Sequence, residues 1–297
     1  MMASFIMAGR KQAAFFILLT TLLSLILPPV SLFSGAAIAL ITLKINWQQG
    51  LIYSLLGSAV LATVTYLLKQ DASFGLSAGL IGWLPIVFFA TILAKTGSWQ
   101  NTLQAILAVT ILGVLLFHAF QPDTALFWQA YLEQVKSALA DAYQLGSSDT
   151  DELIQTISQW MTAVFAAAVA ISAALALLLA RHWQAMLYNP GGFGEEFRQL
   201  RVGKTPAIIM VACIVIAILS DSTMAVEILV VAVGIFMLQG VALAHGIVKQ
   251  REMKPFWLVA LYVLLFILLA QMIVLLAAFG IIDNFVDFRR KIALRKL

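Results

Sequence analysis

Three ionisable side chains beside apolar runs have types and order that could do chemistry: His118, Asp221 and Glu227. A histidine and two carboxylates at one membrane boundary would make a cation or proton site, because charges within or beside a span are costly unless used. The alternative is that each sits hydrated at headgroup depth. A second candidate is the basic stretch Arg181 to Lys204, RHWQAMLYNPGGFGEEFRQLRVGK. Its docking candidates are Arg181, Trp183, Gln184, Asn189, Pro190, Gly191, Gly192, Phe193, Glu196, Phe197, Arg198, Leu200 and Arg201. A third is the closing segment GIIDNFVDFRR, with Gly280, Asp283, Asp287, Arg289 and Arg290.

Several chemistries lack their residues. There is no His-Glu-x-x-His, no serine–lysine pair and no paired intramembrane aspartate, so neither a catalytic nor a metal site is expected. His182 and His245 sit near inner ends of spans, where solvation or lipid contact outweighs ligation. The single cysteine, Cys213, lies in an apolar run, which leaves no disulfide framework. Pro190-Gly191-Gly192 without a following Lys-Ser/Thr is not a phosphate loop, so no cofactor is expected and any ATP-driven activity needs another subunit. An enzyme is not expected.

The elements that must position these residues are membrane helices. The chain has 297 residues, 62% hydrophobic and 11% charged, against about a quarter charged in soluble domains. Apolar runs of about 18 residues or more recur along it, each long enough to cross a bilayer. Irregular backbone cannot face lipid, and the alternation of a barrel strand is absent, so the spans are helices. The fold class is an all-α, polytopic transmembrane bundle of about 8–10 segments. The net charge of +4 comes from residues clustered in short loops, where they orient the chain in lipid rather than bind nucleic acid. The opening, Met1 to Lys11 and an apolar run, reads as an uncleaved first helix with a cytoplasmic N-terminus.

Spans are expected near 12–27, 34–43, 51–68, 76–93, 103–117, 161–180, 207–219 and 225–247, with a long apolar run over 256–282. Gly75 and Gly79 form a small-xxx-small spacing, and Ala166, Ala170 and Ala174 a small-residue stripe, both suited to close packing. Pro85 is expected to kink its helix. The excursion 119–160 is acidic, and Trp128, Leu132, Val135, Leu139 and Tyr143 recur in it at helical spacing. This predicts an amphipathic extracytoplasmic helix. The tail basics Arg289, Arg290, Lys291, Arg295 and Lys296 belong inside by the positive-inside rule. One crossing over 256–282 would put them outside, and a break near Ala270–Gln271 resolves the conflict.

The span ending near residue 180 should continue as helix to Tyr188 and stop at the Asn189-Pro190-Gly191-Gly192 turn. Gly194 to Arg201 reads as a short surface helix, with Phe197 and Leu200 on one face. It is either a capped connector touching anionic headgroups or a docking surface for a cytoplasmic or membrane partner. RHWQAMLYNPGGFGEEFRQLR resembles the signature loop of the YybS-like family of bacterial membrane proteins, and GIIDNFVDFRR its closing motif. That likeness implies a multi-pass protein of the bacterial inner membrane and no particular reaction. Residues 34–60 are similar in pattern to the substrate-binding S components of energy-coupling-factor transporters and to the MreD cell-shape family. Residues 1–204 then form a six-segment core with an S-component-like N-terminal part, and 205–297 the remaining spans and basic tail. The first functional reading is binding or translocation of an unidentified small solute in a cavity among the first six spans. The alternative is a non-catalytic scaffold in envelope growth or division.

Overall fold

The computed structural model describes residues 1–144, 146–220 and 222–294, and every regular element in them is helical. The helices are α1 (Met2–Met7), α2 (Arg10–Ser24), α3 (Ser31–Lys44), α4 (Trp47–Leu67), α5 (Ala72–Thr96) and α6 (Trp99–Phe120). They continue with α7 (Thr124–Leu132), α8 (Lys136–Tyr143), α9 (Ser147–Tyr188), α10 (Gly192–Arg198) and α11 (Lys204–Ser220). The last four are α12 (Thr223–Gln250), α13 (Phe256–Ile267), α14 (Leu269–Val286) and α15 (Phe288–Leu294). Among the described residues, α4, α5, α6, α9, α12 and α14 are long and apolar enough to cross a membrane. Pro28–Lys44, Lys204–Ser220 and Phe256–Ile267 are shorter apolar helices. The protein is therefore an all-α, multi-pass helical bundle.

Side-chain caps start the helices where the chain turns. Asn46, Ser98 and Ser222 accept the backbone N–H of Gln49, Asn101 and Ala225, and so begin α4, α6 and α12. The turns gather on two faces. On one, Lys44 lies 3.9 Å over the Tyr188 ring and Trp99 reaches Glu196, which brings together the ends of α3 and α9, the start of α6 and α10. On the other, Phe74 stacks on Tyr131 and Trp128 donates to Thr162. Every described lysine and arginine except Lys69 and Lys136 belongs to the first face, called the basic face below.

Helix α3 fills the middle of the bundle. Ser34 to Thr42 are all buried against α9, α5, α2 and α4. At 1.5 Å per residue its 14 residues span about 21 Å, less than a hydrocarbon core of about 30 Å. Small residues allow this density. Ala170 and Ala174 of the expected stripe are buried and Ala166 packs beside them. A methyl group on Gly79 would lie 2.7 Å from the Ser58 Cα, so the Gly75–Gly79 spacing sets the approach of α5 to α4. Helix α5 continues past Pro85 without interruption.

The structure refines three expectations. The segment expected at 161–180 is the middle of a single helix of 42 residues, about 63 Å long. The amphipathic stripe expected in 119–160 is divided between α7 and α8 by a 3-10 turn at Glu133–Val135. Trp128 and Leu132 face the bundle while Val135 and Tyr143 are exposed; the side chain of Leu139 lies outside those described. The terminal apolar run is interrupted at Leu268 (φ −115°, ψ 49°), two residues before the expected break. Helix α14 therefore ends on the basic face, bonded through Asn284 to the loop after α10, and the described tail residues Arg289, Arg290 and Lys291 follow it there; Arg295 and Lys296 are outside the described residues.

Candidate functional site

The two motifs that stand 80 residues or more apart in sequence meet on the basic face as one site. Helix α9 ends at Tyr188 because Pro190 and Gly191 cannot extend it. In α10, Glu195 lies in the first turn and Arg198 in the last, as the helix dipole favours. Arg181 donates Nε to Glu196 Oε2 and Nη2 to Oε1, both at 2.8 Å, and Nη1 to Gln184 Oε1 at 2.6 Å. The Trp99 indole N–H adds a longer bond to the same carboxylate. The Arg181 bonds hold the Glu196 carboxyl below its ordinary range, against the opposing effect of burial. Trp183 is buried between Phe16 and Phe33, and Phe193 stands between His182 and Phe197. These contacts fix α10 under the bundle.

After α10 the chain is non-helical from Gln199 to Gly203, although Leu200 and Val202 are buried. Backbone that is neither helical nor hydrated must find side-chain partners. Val202 N–H donates to Gln239 Oε1 at 2.8 Å, and the Val202 carbonyl accepts Gln104 Nε2 at 2.8 Å. Gly203 N–H donates to Asn284 Oδ1 at 3.0 Å. Gly203 has φ +106°, open to glycine without strain, and any Cβ there would strike Gln100 and Gln104.

The closing motif supplies the charges. Arg289 donates Nη1 to the Arg198 carbonyl at 2.8 Å and Nη2 to the Leu200 carbonyl at 3.0 Å. Its guanidinium also pairs with Asp283, at 3.2 Å. Asp283 is fully buried and lies 3.7 Å from Arg201, whose other partner is Asp287. The bond from Arg201 holds the Asp287 carboxyl below its ordinary range, whereas burial lowers the affinity of Arg289 for its proton. Asp287 ends α14 in a left-handed conformation that aspartate tolerates. Gly280 lets α14 cross α12 at contact distance, because a methyl group there would strike the Phe236 carbonyl.

The residues of the loop thus have distinct places. Arg181, Gln184 and Glu196 form an ion-paired cluster, Trp183 and Leu200 are core, and Arg201 is tied to α14. Asn189, Pro190, Gly191 and Gly192 form the turn, and the Gly192 N–H closes it on the Asn189 carbonyl. Arg198, Lys249 and Arg290 have no carboxylate in ion-pair distance among the described residues. Sequence reasoning missed Gln104, Gln239 and Asn284. Their signal was an amide inside or beside an apolar run, where each unpaired polar group is costly.

On the opposite face His118 Nε2 lies 2.6 Å from Glu227 Oε2. Glu227 is only 2% exposed, and its Oε1 has no partner among the described residues. Glu227 is therefore not the hydrated headgroup-level carboxylate of the alternative reading. The third member, Asp221, lies outside the described residues. Among the described residues no group of three His, Cys, Asp or Glu is placed to hold a metal ion.

A polytopic bundle with a polar clamp joining a buried loop to the end of its last long helix defines a class of integral membrane protein rather than a known active site. Residues 13–284 match the family described as predicted membrane protein (DUF2232), and the chain belongs to that family. The match takes in the loop, Asp283 and Asn284, and stops before Asp287 and Arg289. No curated protein and no solved structure matches the chain.

Proposed function

We propose that this protein is a non-catalytic membrane scaffold that presents its basic face to a partner protein. The observation that carries this reading is the clamp of Arg201 and Arg289 on Asp283, which makes loop and tail one rigid platform. The positive-inside rule orients the basic face, the N-terminus and the tail toward the cytoplasm of a bacterial inner membrane. A role in envelope growth or division, as the MreD likeness implies, fits such a platform. Arg181 and Arg201 are held by carboxylates of the platform itself, so of the three arginines expected to dock a partner only Arg198 is free to do so.

The test is co-purification from native membranes in mild detergent, comparing the natural chain with Arg198→Ala. Loss of a stoichiometric partner from the variant, with insertion and thermal stability unchanged, is the expected result. An identical set of bound proteins in both preparations removes Arg198 from docking, and isolation of the natural chain alone removes the scaffold reading.

Solute binding remains the second reading because a cavity of about 330 Å3 opens among α1 to α4, lined by Arg10, Asn46, Gln49 and Tyr53. It lies toward the basic face rather than beneath α7 and α8, and α3 occupies the centre where an S-component-like pocket was expected.

A further inference from the structure

The clamp leaves an open cavity of about 680 Å3 beside it, a size typical of small-ligand pockets. Five cationic side chains line it: Arg198, Arg201, Lys249, Arg289 and Arg290. Against them stand two lining carboxylates, Glu195 and Asp287, with Asp283 buried behind. Arg201 and Arg289 are held by the acids of the clamp, so their guanidinium groups are in place before any ligand arrives. Lys249 and Arg290 are exposed, and among the described residues neither has a carboxylate within ion-pair distance, although Asp287 acts on Arg290 from further off.

Two buried polar atoms of the lining residues have no partner among the described residues, Arg289 Nε and Gln250 Oε1. The first is a charged donor on a side chain 7% exposed. The second is an acceptor, which the phosphoryl oxygens of a monoester dianion cannot satisfy and a hydroxyl can. Leaving either group buried and unmatched costs about 1–3 kcal/mol, and an anion that also carries a hydroxyl donor supplies what the two atoms lack.

We propose that this cavity binds a phosphate ester carrying at least one free hydroxyl. Arginine forks match the oxygens of phosphate and give charge-assisted bonds roughly twice as strong as neutral ones. The same chemistry is offered by a soluble polyol phosphate and by the headgroup of a hydroxyl-bearing phospholipid. The proposal needs the pocket and not a docked protein, so it stands whether or not the scaffold reading does.

The experiment uses the full chain, purified in a neutral detergent and in nanodiscs of phosphatidylcholine with or without phosphatidylglycerol. The soluble probes are glycerol phosphate and inorganic phosphate, followed by calorimetry; retained lipid is read by native mass spectrometry. The expected result is saturable binding of glycerol phosphate or selective retention of phosphatidylglycerol, weakened by added salt. Binding of the soluble probe with no lipid selection assigns a soluble ligand, and the converse assigns the headgroup. Lys249→Ala and Arg290→Ala should each weaken the binding about tenfold without changing ligand-free thermal stability. Gln250→Ala should remove the preference for glycerol phosphate over inorganic phosphate, or for phosphatidylglycerol over phosphatidic acid. Absence of both kinds of binding, or binding that the Lys249 and Arg290 variants leave intact, overturns the proposal.

Discussion

Arg289 donates to the carbonyl of Leu200 from 89 positions further along the chain, and the two residues are both buried. The contact satisfies backbone that the loop exposes on leaving its helix. It also anchors the last described helix of the chain. Asp283 makes this tolerable, since a buried guanidinium without a counter-charge would be strongly destabilising.

Asp283→Ala should therefore be among the most damaging substitutions in the protein. It removes the buried partner of Arg289 and a neighbour of Arg201, and a loss of about 3–5 kcal/mol is expected. Asp287→Ala breaks a partly exposed pair and should cost about 0–1 kcal/mol. Urea unfolding in detergent, followed by tryptophan fluorescence, distinguishes the two; equal effects contradict the account of the clamp.

Gly240 and Gly280 mark the crossing of α12 and α14, where added methyl groups would strike the Leu276 and Phe236 carbonyls. Gly280→Ala should lower the unfolding midpoint and weaken protection of α14 from hydrogen exchange. Gly82, with nothing within 4 Å of a built Cβ, is the control. Gly82→Ala should be neutral or stabilising by roughly 0.5–1 kcal/mol.

The bonds that lower the Glu196 carboxyl make stability depend on pH in a defined direction. A depressed folded value means that its contribution is fully present above the ordinary value of about 4.3 and is lost as pH falls toward the folded one. Thermal midpoints measured between pH 7 and pH 3 should fall less in Glu196→Gln than in the natural chain. Parallel curves would show that the Arg181 pair adds nothing.

The His118–Glu227 contact should behave as a coupled unit. His118→Ala leaves a carboxylate 2% exposed without its partner, at a cost of about 1–3 kcal/mol. Adding Glu227→Leu should restore part of that loss, and the double-mutant cycle then gives a coupling of the same sign. Additive effects would mean that the 2.6 Å contact carries no net energy.

By itself the sequence determined the class of the protein, the helical nature of its spans and most of their limits. The Tyr188 stop, the tight glycine packing of α4 and α5 and the return of the tail to the basic side were legible too. These follow from local physics: apolar length against bilayer thickness, turn chemistry at Pro190-Gly191, and the preference of arginine for the cytoplasmic side. Only the tertiary structure decided that α3 is central rather than a peripheral short piece, because burial on all sides depends on which helices surround it. It also decided that the loop and the closing motif are one site. Gln104, Gln239 and Asn284 look like isolated amides in sequence, and their purpose appears only when folding brings unsatisfied backbone within reach of them. Glu227 shows the same limit: whether water or His118 meets a carboxylate at the end of a span depends on a neighbour 109 residues away.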